Sequence, residues 1–220
     1  MKSFNIEWEN IHQSQEWGKY PPESIVRFIA RNYYKEIREN IKILDFGCGG
    51  GAVTWYLARE GFDVYAFDGS ESAVKKAKLY LENNGYNNVK FQVADALEVQ
   101  YNNEFFDCII DNVCIYANTF NNIVQMYSKT YNLLKRGGKI FTTSFGIETD
   151  GYGTGDQIEY GTYKNIEKGV LKDRAIAHFW KKEELKSVLR EIGYLDIHID
   201  RMEYTDRGVK VEMFIVQAKK

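Results

Sequence analysis

The 220-residue chain carries 29 Lys and Arg against 31 Asp and Glu, a formal net charge of −2, with 44% apolar and 15% aromatic residues. That length suits a single domain over residues 1–220 with ample chain for a buried core. Near-neutral charge argues against general nucleic-acid adhesion, and no apolar run is long enough for a membrane span.

The first 40 residues read as an N-terminal lid and helix. Trp17-Gly18-Lys19-Tyr20-Pro21-Pro22 leads into a helical pattern carrying Ile25, Val26, Phe28 and Ile29, opened by the chain's two prolines. A strand over 41–46 runs into a glycine-rich loop. The helix after the loop bears Val53, Trp55, Tyr56 and Leu57 and stops at Gly61. A second strand, 62–67, ends at Asp68. Ser70 is placed to cap the next helix, where Ala73, Ala77 and Leu81 recur at helical spacing.

A third strand over 89–94 ends at Asp95, and the continuous apolar run 105–113 predicts a central strand covered on both faces. Phe120, Ile123, Val124, Tyr127, Tyr131 and Leu134 form an amphipathic helix stopped by Gly137-Gly138, before a fifth strand over 139–145. Alternating strands and helices predict a doubly wound, Rossmann-like parallel sheet with helices on both faces. After a helix bearing Leu185, Val188, Leu189 and Ile192, strands over 194–200 and 209–216 are joined too closely for a parallel crossover. They predict a C-terminal antiparallel hairpin, for a seven-stranded sheet in all. Residues 146–180, rich in Gly, Tyr and charge, read as an insertion covering the acceptor site.

Chemistry concentrates in Ile43-Leu44-Asp45-Phe46-Gly47-Cys48-Gly49-Gly50-Gly51. Glycines after a strand let backbone approach a ligand closely. Gly47, Gly49 and Ala52 satisfy a dinucleotide fingerprint, with Asp68 at the distance of a ribose-binding acid, so a nicotinamide-dependent oxidoreductase using NAD is the rival reading. Asp45 opposes it: a carboxylate about 5 Å from a phosphate repels it by about 3 kcal/mol at an effective dielectric of about 20. No Lys or Arg occurs between Ile43 and Ala58 to offset that charge, and the P-loop's Gly-Lys-Ser/Thr ending is missing. Asp45, Asp68, Asp95 and Asp111 fall at or near strand ends, where ligands of such sheets bind. Four acids around one glycine loop suit a cationic nucleoside without phosphate, and S-adenosyl-L-methionine is such a ligand.

Taken in order, these segments resemble the class I S-adenosylmethionine-dependent methyltransferase family from about Ile41 to Val216. Leu44-Asp45-Phe46-Gly47-Cys48-Gly49 is similar to its first motif and Val64-Tyr65-Ala66-Phe67-Asp68 to its second. Phe91 to Ala96, Phe106 to Asp111 and Leu133 to Ile140 resemble the third, the fourth and the turn before strand five. The resemblance implies that the loop embraces the methionine part, Asp68 (with Gly69 beside it) binds both ribose hydroxyls, and Asp95 (with Ala96) meets the adenine amino group. Asn112 contacts the cofactor through backbone, and Trp17 and Tyr20 either cover the methionine end or pack on the core. Cys48 is a small residue that fits the loop.

The resemblance further implies direct in-line attack on the sulfonium methyl, which calls for no general acid. His178 is the candidate base, weighed against a structural place among aromatics. Asp111 either serves the substrate or ends its strand. With Tyr116, Glu159, Tyr160 and Tyr163 it makes the candidate acceptor set. Absence of Asn/Asp-Pro-Pro-aromatic and Pro-Cys sequences departs from members that methylate nucleic acids, leaving a small-molecule acceptor as the expectation. A domain that binds the cofactor without catalysis is the remaining alternative. Three cysteines (Cys48, Cys108, Cys114) without C-x-x-C spacing fit a reducing compartment and no metal site, and the lack of an apolar leader makes the cytoplasm the expected location.

Overall fold

A computed structural model describes residues 3–220. Its centre is a seven-stranded sheet of β1 (Lys42–Phe46), β2 (Asp63–Asp68), β3 (Lys90–Val93), β4 (Phe106–Asn112), β5 (Leu134–Phe145), β9 (Leu195–Asp206) and β10 (Val209–Lys219). The spatial order is β3-β2-β1-β4-β5-β10-β9, with β1 to β5 parallel and β10 antiparallel to both its neighbours. Winding reverses between β1 and β4, where Asp45 pairs with Ile110 on one side and Ala66 on the other. This is the switch point at which doubly wound sheets open a crevice for ligands.

Alternation along the central strands sends side chains to two cores. Ile43, Cys108, Ile110 and Phe141 face a layer built by α2 (Glu23–Tyr33), α3 (Ala52–Arg59) and α4 (Glu71–Glu82), through Ile25, Phe28, Ile29, Val53, Leu57 and Leu81. Leu44, Phe46, Ile109 and Ile140 face α5 (Phe120–Leu133) and α6 (Lys182–Ile192), through Ile123, Met126, Tyr127, Leu185 and Leu189. The Ser70 hydroxyl accepts the Ala73 N–H at 3.0 Å, so α4 is capped as its sequence requires. The terminal hairpin turns through Arg207 and Gly208, both at positive φ (49° and 84°), the conformation a two-residue hairpin turn needs.

Three expectations shift. Gly137-Gly138 does not stop α5, which ends at Leu133; the pair lies inside β5 at a register break between the Phe106–Leu134 and Cys108–Lys139 pairings. The Gly137 N–H and the Gly138 carbonyl both bond Lys220, extending β5 against the end of β10. Residues 146–180, read as an insertion with no strand assigned to it, contain a small antiparallel sheet of β6 (Asp156–Glu159), β7 (Thr162–Lys164) and β8 (Ala177–His178). Finally, α1 (Glu7–Ser14) precedes the predicted first helix. It has only two buried residues, Ile11 and His12, and no side-chain cap, so its eight residues carry too weak a pattern to read. Glu9 anchors it by accepting both the Ser70 and Ser72 hydroxyls at 2.5 Å. Those bonds hold its carboxyl down at about 2. Among the described residues no helix is long and apolar enough to cross a membrane.

Gly51, at φ 85°, starts α3 against α4, and a Cβ there would sit 2.8 Å from the Ala77 Cβ. Gly51→Ala is therefore expected to lower stability by about 1–3 kcal/mol through left-handed strain and overpacking, measured by denaturant unfolding.

Candidate active site

The crevice at the switch point is a cavity of about 450 Å³, within the usual range for small-ligand sites. The loop after β1 forms its floor. Gly47, Gly49 and Gly51 all take positive φ, and the Cys48 N–H donates to the Phe67 carbonyl at 2.9 Å, which ties the loop to β2. A Cβ on Gly47 would collide with the Cys114 sulfur, so the first glycine is needed for contact with the loop after β4.

Two carboxylates meet this floor almost without exposure. Asp68 accepts the Gly49 N–H through Oδ2 and the Ser70 N–H through Oδ1, each at 2.9 Å. It thereby clamps the glycine loop to the start of α4 while keeping lone pairs for a ligand. Burial nevertheless raises its pKa. Asp45, at 1% exposure, accepts only the Thr54 hydroxyl, at 2.5 Å. Burial raises its pKa to about 7 against that bond, and neighbouring Asp68 adds to the rise. Two desolvated acids side by side, with no Lys or Arg against them and only the His12 imidazole, itself held toward its neutral form by burial, in reach of Asp68, make a site for positive charge.

Of the predicted cofactor contacts, Asp45, Gly47, Cys48, Gly49, Asp68, Gly69, Ala96, Asn112, Trp17 and Tyr20 all line the cavity, as does Tyr116 from the acceptor set. Trp17 lies 5.7 Å from the His12 ring and Tyr20 stands edge-on to Trp55 at 5.6 Å, so both pack on protein while facing the cavity. Burial pushes the Cys48 thiol well above its ordinary pKa, and the neighbouring Asp68 and Asp45 push it further, which suits a packing role.

Other expectations are corrected by packing. Asp95 does not face the cavity: its oxygens accept the Ser3 hydroxyl and the Phe4 N–H at 2.7 Å and the Leu97 N–H at 2.9 Å. It holds the N-terminal segment across the end of β3, with the Phe4 ring against Gly69. Asp111 is fully buried away from the cavity, accepting the Cys114 and Ile115 N–H groups at 2.8 and 3.2 Å and the Thr142 hydroxyl at 2.5 Å. Burial lifts it to about 6 against those bonds. Its work is to shape the turn after β4.

Glu159 accepts the Phe120 N–H at 2.5 Å, capping α5 from outside the cavity. Tyr160 is exposed beneath the Lys181 ammonium, and Tyr163 is buried against Tyr152 and Phe179. None of the three lines the cavity: Glu159 is spent on α5, Tyr160 faces solvent and Tyr163 faces the core of the small sheet. His178 is likewise outside. Its Nδ1 meets the Thr162 hydroxyl at 2.7 Å, its ring packs 4.4 Å from Trp180, and burial lowers its pKa to about 4.

Many cavity residues escaped the sequence, and four bear on its chemistry and shape. His12 and Phe4 come from the N-terminal segment, Arg174 from the charged stretch before β8, and Val113 from the turn after β4. Val113 takes φ 54°, costly for a β-branched residue, and is held there by the Thr143 hydroxyl, which accepts its N–H at 3.1 Å. Only the helical offset of His12 behind Trp8 could have hinted at its role; nothing singles out Arg174 among its basic neighbours.

Sheet order and cavity define a doubly wound α/β protein with a small-ligand site at its switch point. Residues 37–193 match a family described as a methyltransferase domain. The chain is 25% identical over 224 residues to the malonyl-[acyl-carrier protein] O-methyltransferase of Bacillus anthracis, covering all of this chain and 78% of that protein. It is 26% identical to phosphoethanolamine N-methyltransferase 2 of Caenorhabditis elegans, covering 80% of this chain but only 40% of that one. Among solved structures, an S-adenosylmethionine-dependent methyltransferase from Methanosarcina mazei superposes with a TM-score of 0.72 at 23% identity, over 87% of this chain and 96% of the other. The chain belongs to the class I S-adenosylmethionine-dependent methyltransferase family.

Replacing His178 tests its structural place. His178→Ala is expected to cost about 2–4 kcal/mol in unfolding free energy by emptying a buried aromatic site, while cofactor affinity measured by calorimetry stays at the wild-type value.

Proposed function

We propose that this chain transfers a methyl group from S-adenosylmethionine to a small-molecule acceptor by direct in-line displacement, with the cofactor held over the glycine loop. The observation that carries this reading is the pair Asp45 and Asp68, buried at the floor of the cavity with no Lys or Arg against them and only the burial-neutralised His12 imidazole nearby. Their charge fits a ligand bearing an ammonium and a sulfonium, and it opposes the diphosphate of NAD. Asp68, already oriented by two backbone N–H groups, would take the ribose hydroxyls on its remaining lone pairs. Asp45 would balance the positive end, and Ala96 and Gly69 would frame the base.

When bound, the cofactor supplies an electrophilic methyl whose sulfur leaves as a neutral thioether. The protein's own contribution is then positioning: the rigid loop, the Val113 turn and the aromatic wall of Tyr116 and Phe145 would hold an acceptor at about 3–3.5 Å and in line. Trp17 and Tyr20 would close the methionine end and exclude water. His178, buried outside the cavity, takes no part. The relatives act on unlike acceptors, a malonylated carrier protein and phosphoethanolamine among them, so acceptor identity belongs to the far wall of the cavity rather than to the fold.

Calorimetry with S-adenosylhomocysteine and NAD separates the two cofactor readings, and binding of NAD alone would reject this one. Methyl release from labelled cofactor over a metabolite panel separates an enzyme from a binding module. Asp68→Ala is expected to weaken S-adenosylhomocysteine binding by about 1–3 kcal/mol with the fold intact. Unchanged affinity would remove Asp68 from the ribose site.

A pH dependence follows from Asp45. Below about 7 its carboxyl is protonated in the free protein and must lose that proton to receive a cation; above about 7 it is already ionised. S-adenosylmethionine affinity should therefore rise between about pH 6 and 7.5, by less than tenfold per pH unit, and Asp45→Asn should flatten that slope. Affinity that falls over this interval in the wild type would contradict the charge pairing.

A further inference from the structure

Beyond the glycine loop, on the side of β5 and the terminal hairpin, the cavity wall changes character. Val113, Tyr116, Phe145, Val170, Leu171 and Tyr204 make it apolar and aromatic, with no carboxylate among them. Arg174 is the single Lys or Arg on the cavity wall among the described residues. Its Nη1 donates to the Gln15 side-chain oxygen at 2.8 Å, and its guanidinium lies 5.0 Å over the Trp17 ring. These contacts use one donor and one face of a group with five N–H donors, and they include no anion. A half-buried guanidinium steadied by a neutral amide and an indole is oriented but not neutralised.

Tyr116 stands within its influence. Burial pushes the Tyr116 hydroxyl upward in pKa, and the guanidinium is the strongest influence acting the other way. The Tyr116 ring is fixed 4.9 Å from Phe145, and its hydroxyl bonds none of the described residues. The Arg174 guanidinium and the Tyr116 hydroxyl thus stand together against a largely apolar wall, with the Tyr204 hydroxyl and the Asn118 amide also on the lining and the Trp17 ring under the guanidinium.

We propose that the methyl acceptor is an apolar small molecule carrying an oxyanion, a carboxylate or a phosphate monoester, received by Arg174 and the Tyr116 hydroxyl. A planar fork of N–H groups matches either oxyanion, and the low-dielectric wall strengthens the pairing. The apolar residues take the body of the acceptor, so charge at one end sets its orientation relative to the glycine loop. The inference rests on reading the cavity as a methyl-transfer site.

The test uses the full chain saturated with S-adenosylhomocysteine and titrates benzoate, phenyl phosphate and benzamide by calorimetry. At least one of the two anions should bind about tenfold tighter than benzamide. Arg174→Gln should abolish that preference and Arg174→Lys retain part of it, with both variants binding S-adenosylhomocysteine as the wild type does. Preference for benzoate alone or phenyl phosphate alone would assign the oxyanion. Cofactor-product binding with no preference for either anion overturns this inference and leaves the methyl-transfer reading standing. A tenfold loss of S-adenosylhomocysteine affinity in Arg174→Gln would instead assign the guanidinium to the cofactor's own carboxylate, and also overturns it. A wild type that fails to bind S-adenosylhomocysteine removes both.

Discussion

Two carboxylates withheld from water, with no Lys or Arg to balance them and only a buried imidazole, His12, near one of them, are the constraint on which the rest of the structure depends. Asp45 stands one residue before the end of the central strand β1 and Asp68 ends β2, so parallel pairing of those strands brings the acids together at their carboxyl ends. The fold tolerates them because Asp68 is bonded by two backbone N–H groups and Asp45 by the Thr54 hydroxyl. What those bonds leave uncompensated appears as raised pKa values, which is unspent affinity for positive charge. A protein lacking a use for such a pair gains stability by replacing it with neutral groups.

Around this pair the chain assembles walls from distant segments. The N-terminal segment reaches across β3, where Asp95 holds Ser3 and Phe4, and α1 is pinned to the start of α4 by Glu9. These attachments are polar and few, whereas β1, β4 and β5 are held by continuous ladders and two apolar cores. The structure thus pairs a stiff floor with a cover attached by a handful of hydrogen bonds. That division suits a site that must admit a ligand and then exclude water.

The opposite wall has its own cause. Asp111 spends its hydrogen bonds on the turn after β4, where the Thr143 hydroxyl holds Val113 in a left-handed conformation at the cavity surface, and the small sheet of 156–178 packs its aromatics against Tyr116 and Phe145. Sequence reading offered Asp111, from its place at a strand end, with Glu159, Tyr160 and Tyr163 as an acceptor set, and His178 as a candidate base. Packing uses Glu159 as a cap, Asp111 as a turn-maker and Tyr163 and His178 as core, and leaves Tyr160 exposed. Arg174, which did reach the cavity, lay unseen in a run of alternating charges.

The sequence alone determined the periodic strands and helices, their alternation, the glycine loop and the acids at strand ends, and hence the doubly wound sheet and the sign of charge its ligand carries. Those features are local: each depends on residues within a few positions, where backbone conformation and strand or helix period leave a direct trace. Tertiary structure decided which polar side chains face the cavity and which are consumed by the fold. Asp95 and Asp111 look alike in the chain, as do His12 and His178, because a hydrogen-bond partner dozens of residues away leaves no mark on neighbouring sequence. That is why the lining supplied by the glycine loop and the ends of β1 and β2 was legible, and the lining supplied by the N-terminal segment and by Arg174 was not.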